Sequence, residues 1–372
     1  MPQMRFFRYN RNMKTIPAYL KKKPLSILLI ALPIAVIGTF LEWNALVLFS
    51  LSALSVVPLA GLIGDGTEGL AVYTGPKLGG LINATLGNAA ELIITLFAIN
   101  RGLLELVKAS ITGSIIGNLL FVLGLSILAG GLKNGIQKFD RRHTTNNTIL
   151  LSIAILGLVV PSLFSHSTAS GVNEKVEILS LCVAVVMIML YALGIVFSIK
   201  QIETHSLAAP IEQQEVHSAW SVKKSIVVLA LATAGIVWMS EILVGSVEDV
   251  VAGSGISEFF LGIILVPIIG NVAEHLVAIT MAVKNKMELS MEIAVSSSLQ
   301  IALFVAPVLV FISLLMGNPL NLVFNTFELA ALMATVIVSY FVAADGESNW
   351  LEGAALLVVY ILFGLAFFIF PT

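Results

Sequence analysis

The chain has 372 residues, of which 58% are hydrophobic and 11% are charged, and its mean hydropathy is +1.00. Ordinary globular domains carry about 25% charged residues, and a soluble chain of this length could not bury so much apolar surface. The composition therefore excludes a soluble globular protein. The formal net charge of −2 says little about partners, and we expect a lipid bilayer around the chain and no nucleic acid.

Apolar runs of about 20 residues recur along the chain, each long enough to cross a hydrocarbon core of roughly 30 Å as a helix. They predict an all-α integral membrane protein with eleven transmembrane helices. The first helix is expected to be retained, because no small-residue cleavage site follows its apolar core. The predicted spans are 24–43, 45–63, 69–100, 105–130, 147–164, 176–199, 222–243, 256–283, 289–316, 323–343 and 350–370.

The positions of Lys and Arg predict how these spans are oriented. Residues 1–23 form a basic tail with seven Lys and Arg, which we place in the cytoplasm. If the spans then alternate, 17 of the 20 Lys and Arg lie on the cytoplasmic side, as the positive-inside rule requires. The polar segment 200–221 becomes a cytoplasmic connector, either a solvated tether or a regulatory segment. We expect a prokaryotic plasma membrane, with a vacuolar membrane left open.

The sequence contains an internal repeat. When the chain is shifted by 183 residues, segment 79–122 aligns with 262–305 without a gap, and eleven of 44 positions are identical. The matches include Gly, Asn, Glu and Ser, which generic apolar similarity would not produce. Five spans separate the two copies, so the second copy is inverted. We predict one extra helix at 24–43 and two inverted five-helix repeats at 45–199 and 222–370, a recurring plan of transporters.

Each repeat carries the pentapeptide Gly-Asn-x-Ala-Glu, at residues 87–91 and 270–274. An acid inside a membrane is costly and marks a functional site by default. Asn and Glu three residues apart share one helix face, so each copy presents an amide and a carboxylate to one point. Hard cations such as calcium prefer carboxylate, amide and carbonyl oxygens. The candidate cation ligands are therefore Gly87, Asn88, Glu91, Gly270, Asn271 and Glu274.

The helices that carry the motif are predicted to be broken. Span 69–100 would be about 48 Å long as one straight helix, which exceeds the bilayer. Pro267, three residues before the second motif, removes a backbone N–H and frees a carbonyl. Such a carbonyl is tolerated in a membrane only where it lines a cavity or meets a partner. The places to bend or stop in span 69–100 are Pro76, Gly79, Gly80 and Gly87.

Polar residues on the spans that follow the two motifs form short stripes. Ser114 and Asn118 are four residues apart, and Ser297 and Gln300 are three residues apart. They are candidates for auxiliary polar lining of the site, but hydrogen bonding between membrane helices explains such residues equally well.

Two further titratable residues have open roles. His275 points about 100° away from Glu274 around a helix; it either tunes the site and carries protons or is a hydrogen-bonded histidine of the bundle. Glu328 lies about two turns into the tenth span, where it either lines a path or is a solvated acid at a helix end. The G-x-G-x-x-G pattern at 64–69 follows a membrane span, not a strand, and does not indicate a nucleotide site.

The sequence has no Walker A motif and no H-E-x-x-H motif, and Cys182 is its single cysteine. We therefore expect neither an enzyme nor a cofactor, and no disulfide within the chain. Calcium ions and protons would be transported substrates. Homo-oligomer formation stays open.

In these residues the chain resembles the cation exchanger (CAX) family of calcium/proton antiporters, within the calcium/cation antiporter superfamily. The resemblance covers both repeats and rests on GNAAE, GNVAEH and SSSLQIALF. It implies eleven helices, with Glu91 and Glu274 as the acids that bind the cation and accept protons, and His275 as typical of the second repeat. Sodium/calcium exchangers of the superfamily carry Ser and Pro where this chain has Ala89 and Ala90, which argues against sodium coupling.

Charge predicts a mechanism. Two carboxylates in a low dielectric cannot both stay ionised without a cation. One divalent cation or two protons neutralise the pair, so competition between them suits an exchanger that works by alternating access. Two alternatives stay open, namely a divalent cation channel with an acidic constriction and a sodium-coupled calcium exchanger. The preference among Ca²⁺, Mn²⁺ and other divalent cations is also open.

Overall fold

The computed structural model describes residues 23–165, 172–206 and 220–370. Except for Lys23, the predicted basic tail lies outside the described residues, and so do residues 207–219 of the predicted connector. The helices in the described ranges are α1 Pro24–Phe40, α2 Ala45–Leu86, α3 Ala89–Asn100, α4 Leu104–Asn134, α5 Arg141–Ser165, α6 Val172–Ser206, α7 Val222–Ser254, α8 Glu258–Val283, α9 Met287–Leu315, α10 Thr326–Ala343 and α11 Trp350–Ile369.

These helices confirm the predicted all-α membrane fold. Within the described ranges, nine helices are long and apolar enough to cross a membrane, and α1 and α3 are shorter apolar helices. Large apolar side chains cover the outside of the bundle, for example Leu193, Leu231 and Leu362. Helices that are apolar all round are typical of membrane spans.

Polar residues just before several helices set where these begin. The side chains of Asn325 and Asn349 each accept a hydrogen bond from the backbone N–H three residues on. In return, the side chains of Glu328 and Glu352 accept the backbone N–H of Asn325 and Asn349. Such capping boxes satisfy N–H groups that have no partner inside the helix. Ser257 caps α8 in a similar way.

The predicted end of the second span near residues 64–68 is wrong, because α2 continues through this segment. The segment contains no proline, and Thr67 Oγ1 donates to the carbonyl of Ile63 at 2.7 Å inside the helix. Gly66 has a packing role, since a Cβ added there would lie 2.6 Å from Leu229 Cγ of α7. Glycine here allows close approach of two helices without ending either.

In the first half, the helix interruption falls at Gly87 and Asn88, between α2 and α3. Gly87 is one of the predicted positions. α2 runs on through the others, which are Pro76, Gly79 and Gly80.

In the second half, the same motif lies inside a helix. Gly270 and Asn271 belong to the continuous part of α8. The interruption comes earlier, where Gly255 adopts a left-handed conformation with φ of 72° between α7 and α8. A π-helical turn at Leu261–Leu265 then precedes Pro267. The two halves therefore stop their helices at different places.

Two further π-helical turns lie at corresponding places of the halves, at Gly117–Val122 in α4 and at Ile301–Val305 in α9. Both are largely buried. Single π-helical turns inside α-helices occur frequently at functional sites. The turn in α4 contains Asn118, and the turn in α9 begins just after Gln300.

A short antiparallel pair links two connections on the predicted cytoplasmic side. β1 Gln137–Lys138 follows α4, and β2 Glu347–Ser348 precedes α11, with Gln137 opposite Ser348. The pair ties the end of α4 to the end of α10.

Candidate cation site

Glu91 lies in the first turn of α3 and is only 3% exposed. Its Oε1 accepts hydrogen bonds from Ser114 Oγ of α4 and from Asn271 Nδ2 of α8. Ser114 belongs to the same repeat as Glu91, whereas Asn271 belongs to the other. Both halves of the molecule therefore hold the first acid.

Glu274 lies in α8 and is half-buried. Its Oε2 accepts a hydrogen bond from Ser297 Oγ of α9 at 2.8 Å. The two Glu–Ser pairs are separated by the same 23 residues, as the internal repeat requires. Asn271, three residues before Glu274 in α8, donates to Glu91, so the helix that carries the second acid contacts the first acid. The two acids thus have equivalent partners in their own repeats but differ in exposure.

Two more hydrogen bonds join the halves around the acids. Asn88 Nδ2 donates to Gln300 Oε1 at 2.6 Å, and His275 Nε2 lies 3.2 Å from Asn118 Oδ1. The His275 ring is buried, with Phe121 edge-on at 6.3 Å between ring centroids. The structure brings nine predicted side chains into these bonds, namely Asn88, Glu91, Ser114, Asn118, Asn271, Glu274, His275, Ser297 and Gln300.

Several buried polar atoms of this cluster have no hydrogen-bond partner within the described chain. They are Asn88 Oδ1, Glu91 Oε2, Asn271 Oδ1 and Asn118 Nδ2. Buried polar groups and charges are costly unless they are paired. Three of the four atoms are oxygens, which are the ligand atoms that hard cations prefer.

Lys and Arg side chains of the described ranges do not compensate the two acids. In the described ranges, neither Glu91 nor Glu274 forms an ion pair with Lys or Arg. The same part of the chain contains no group of three or more His, Cys, Asp or Glu that could hold a metal ion. The described cluster therefore consists of two carboxylates with amide and hydroxyl groups around them.

The two motif glycines lie beside the acids. A Cβ added to Gly270 would be 2.7 Å from Glu91 Cγ, so glycine is needed for α8 to approach α3 this closely. Gly87 lies in the turn just before α3. Their predicted role as carbonyl ligands stays a prediction.

A tight crossing of α4 and α8 lies on the predicted outer side of the acids. A Cβ added to Gly262 would be 2.7 Å from Ala109 Cβ and 2.8 Å from the carbonyl oxygen of Leu106. Likewise, a Cβ added to Gly113 would overlap the backbone of Ile263. Small residues allow helix backbones to approach this closely in membranes. The backbones of α4 and α8 are therefore in direct contact at this crossing.

Sequence reasoning missed this role of Gly113. For Gly262, on the other helix of the crossing, the sequence did contain an indication, because Gly262 is identical to Gly79 in the internal repeat. Gly113 matches Ser296, another small residue, which identity alone does not reveal.

The predicted position of Glu328 and its predicted solvation are wrong, whereas its lining of a path stays a prediction. It lies in the first turn of α10 rather than two turns in, and at 1% exposure it is not solvated. Its Oε2 accepts the backbone N–H of Asn325 at 2.8 Å, and its Oε1 accepts the Thr112 hydroxyl at 3.0 Å. These bonds allow the acid to be buried, because both oxygens have donors.

Comparison with known proteins places these features in context. A sequence model described as sodium/calcium exchanger protein matches residues 44–200 and 224–369. A Ca(2+)/H(+) antiporter of Aphanothece halophytica is 41% identical over 362 residues, covering 93% of this chain and 96% of its own. The Ca(2+)/H(+) antiporter ChaA of Bacillus subtilis is 43% identical over 343 residues, covering 91% and 96%. The solved structure of native YfkE matches with a TM-score of 0.81 and 40% identity, covering 93% of this chain and all of that one.

Proposed function

We propose that this chain, which belongs to the sodium/calcium exchanger protein family, exchanges Ca²⁺ for protons across a membrane by alternating access. The relatives over 40% identical that span nearly the whole chain are named Ca(2+)/H(+) antiporters. This supports proton coupling over the sodium-coupled alternative. The bacterial source of these relatives also favours a prokaryotic plasma membrane over a vacuolar one.

The observation that carries the proposal is the uncompensated acid pair. Glu91 and Glu274 come from inverted repeats, share one cluster, and have no Lys or Arg partner in the described ranges. Two ionised carboxylates in this setting repel each other and are poorly solvated. One Ca²⁺ balances both charges, and so do two protons.

The exchange follows from this balance. Ca²⁺ binds between the ionised Glu91 and Glu274, with Asn88 and Asn271 as auxiliary ligands through the side-chain oxygens that lack donors. When Ca²⁺ leaves, each carboxylate takes one proton, so the site returns neutral. An empty site with two charges is costly to move across the membrane, and this cost couples the two substrates.

The other polar residues of the cluster hold the acids in place. Ser114 and Ser297 donate to the carboxylates, and Gln300 accepts from Asn88. His275 is hydrogen-bonded to Asn118, and we assign to His275 the role of orienting the Asn118 amide. A role for His275 in proton transfer belongs to the proposal as well, because the ring reaches both halves.

Proteoliposomes test the proposed function. The purified chain should accumulate Ca²⁺ above equilibrium when only a proton gradient is imposed and sodium is absent. A channel would let Ca²⁺ run down its own electrochemical gradient, and acid would only slow it. A sodium-coupled exchanger would accumulate Ca²⁺ only with a sodium gradient. Either of these outcomes would overturn the proposal.

A further inference from the structure

The C-terminal ends of the two acid-bearing helices are bonded to the opposite repeat. Asn318 Nδ2, in the connection between α9 and α10, donates to the carbonyl of Ile99 in α3 at 2.8 Å. Gln137 Nε2, in β1 after α4, donates to the carbonyl of Ala282 in α8 at 2.9 Å. Each amide belongs to one half of the molecule, and each carbonyl belongs to the other.

The two acceptors are equivalent positions. Ile99 follows Glu91 by eight residues, and Ala282 follows Glu274 by eight. At 1.5 Å per residue, each anchored carbonyl lies about 12 Å along the helix from its acid. The donors come from different loops and different residue types, so local sequence similarity does not account for the correspondence.

The helix ends themselves are also equivalent. Gly102, with φ of 74°, donates its N–H to Ile99 O at 3.0 Å, and Asn285, with φ of 59°, donates to Ala282 O at 3.0 Å. Each carbonyl thus keeps a partner within its own helix end. The cross-repeat amide is an additional donor, and it is not needed to satisfy a buried carbonyl.

The surroundings of Gln137 are shaped for its amide. Gln137 is 2% exposed, and its Nε2 also donates to Asn285 Oδ1 at 2.9 Å. A Cβ added to Gly130 would overlap the Gln137 amide oxygen and lie 3.0 Å from Ala282 O. Asn134 Nδ2 donates to the same carbonyl at 3.2 Å. The carbonyl of Ala282 therefore accepts hydrogen bonds from two amides of the opposite repeat, Asn134 and Gln137.

The anchor of α3 rests on a rigid connection. Gly317 has φ of 78°, the backbone N–H of Asn318 donates to Ser313 O at 3.2 Å, and the N–H of Leu320 donates to Ser313 Oγ at 2.8 Å. The amide of Asn318 is thus presented by a loop that is fixed to the end of α9.

From these contacts we infer that Asn318 and Gln137 are positioning residues that hold Glu91 and Glu274 in register with the opposite repeat. The inference rests on the proposed exchange function. In each half, the anchored end of the acid-bearing helix lies opposite the interruption that precedes the helix, which is at Gly87 and Asn88 in the first half and at Gly255 in the second. The anchor keeps the C-terminal end of the helix against the opposite repeat, so that a change at the interruption need not displace the acid.

The experiment compares Asn318→Leu with Asn321→Leu, measured as calcium half-saturation of proton-driven uptake in proteoliposomes. Asn321 lies in the same connection, but its Oδ1 accepts only the N–H of Val323 in that loop, at 3.2 Å. Loss of one hydrogen bond predicts a rise of about threefold to tenfold in half-saturation for Asn318→Leu, with the maximal rate nearly unchanged. Asn321→Leu should behave as wild type.

Double variants separate positioning from general destabilisation. Asn318→Leu should be non-additive with Asn271→Ala, because the anchor acts through the bond between Asn271 and Glu91, and additive with Ser297→Ala. On the other side, Gln137→Leu should have a smaller effect than Asn134→Leu combined with Gln137→Leu. If Asn318→Leu fails to purify as a folded protein, Asn318→Asp takes its place. This variant keeps the size of the side chain and replaces the amide N–H donor by a carboxylate oxygen, which only accepts hydrogen bonds.

The outcomes are distinct. If wild-type protein shows no proton-driven accumulation of Ca²⁺, the proposed function fails. If wild-type protein accumulates Ca²⁺ but folded Asn318→Leu has the half-saturation of Asn321→Leu, or is additive with Asn271→Ala, the positioning role alone is overturned.

Discussion

Replacing Gly270 by Ala tests how closely the two halves must approach at the site. The added Cβ would lie 2.7 Å from Glu91 Cγ, whereas ordinary van der Waals contact begins at 3.4 Å. Glu91 would have to move by about 0.7 Å, and the buried side chain has little free space. A shift of that size displaces the Glu91 carboxylate from the position set by its hydrogen bonds from Ser114 and Asn271.

The expected loss follows from these two bonds. A hydrogen bond to a charged group contributes about 1.5–3 kcal/mol, and each 1.4 kcal/mol is about a factor of ten in affinity. We therefore expect calcium half-saturation to rise at least about tenfold in Gly270→Ala. The measurement is proton-driven calcium uptake by proteoliposomes over a calcium titration, with folding checked by size-exclusion chromatography and thermal unfolding.

Gly117→Ala is the matched control. Gly117 is buried in α4, three residues after Ser114, and a Cβ added there meets nothing within 4 Å. Its half-saturation should stay close to that of wild type. If Gly270→Ala folds normally and keeps wild-type half-saturation, the close contact with Glu91 does not set calcium affinity, and the reasoning is refuted.

Three other predictions concern the same cluster. Glu91→Gln and Glu274→Gln should each abolish divalent transport without unfolding the protein, since each removes half of the balancing charge; a folded variant that keeps more than about a tenth of the flux, a loss of less than about 1.4 kcal/mol, would contradict the paired-acid site. Asn88→Ala and Asn271→Ala should raise calcium half-saturation more than they lower the maximal rate, and a titration with unchanged half-saturation in both would assign them to helix packing. Apparent calcium affinity should fall as the pH is lowered, because protons convert both carboxylates to neutral acids that no longer bind the ion; uptake measured at fixed calcium gradients across a pH series would refute competition if affinity were independent of pH.

Hydropathy and the repeat were sufficient to predict most of the architecture. Apolar runs of membrane-crossing length predicted the eleven helices, because a lipid environment permits few other structures. The predicted spans 45–63 and 69–100 left residues 64–68 outside both helices, whereas α2 continues through them. In the structure Gly66 packs against Leu229 of α7. Leu229 is 163 residues away in sequence, so the local pattern around Gly66 does not reveal this contact.

Glu328 shows a similar limit. From the sequence pattern, this acid lies on an apolar helix and is expected either to be solvated or to line a path. The structure supplies Thr112 and the cap at Asn325. A buried carboxylate is stable only when its donors are in place, and one of those donors comes from α4, which the local pattern around Glu328 does not contain.

The sequence by itself determined which chemical groups are available at the site. Two copies of Gly-Asn-x-Ala-Glu place an amide and a carboxylate on the same face of two apolar helices, and this follows from spacing alone. Only the tertiary structure decided how the two copies differ. The first copy ends one helix and begins another with Glu91 covered, whereas the second lies within α8 with Glu274 half-buried. The shared motif cannot encode that difference, because it arises from how the halves pack. Asn271 reaches Glu91 across the repeat, while Asn88 donates to Gln300.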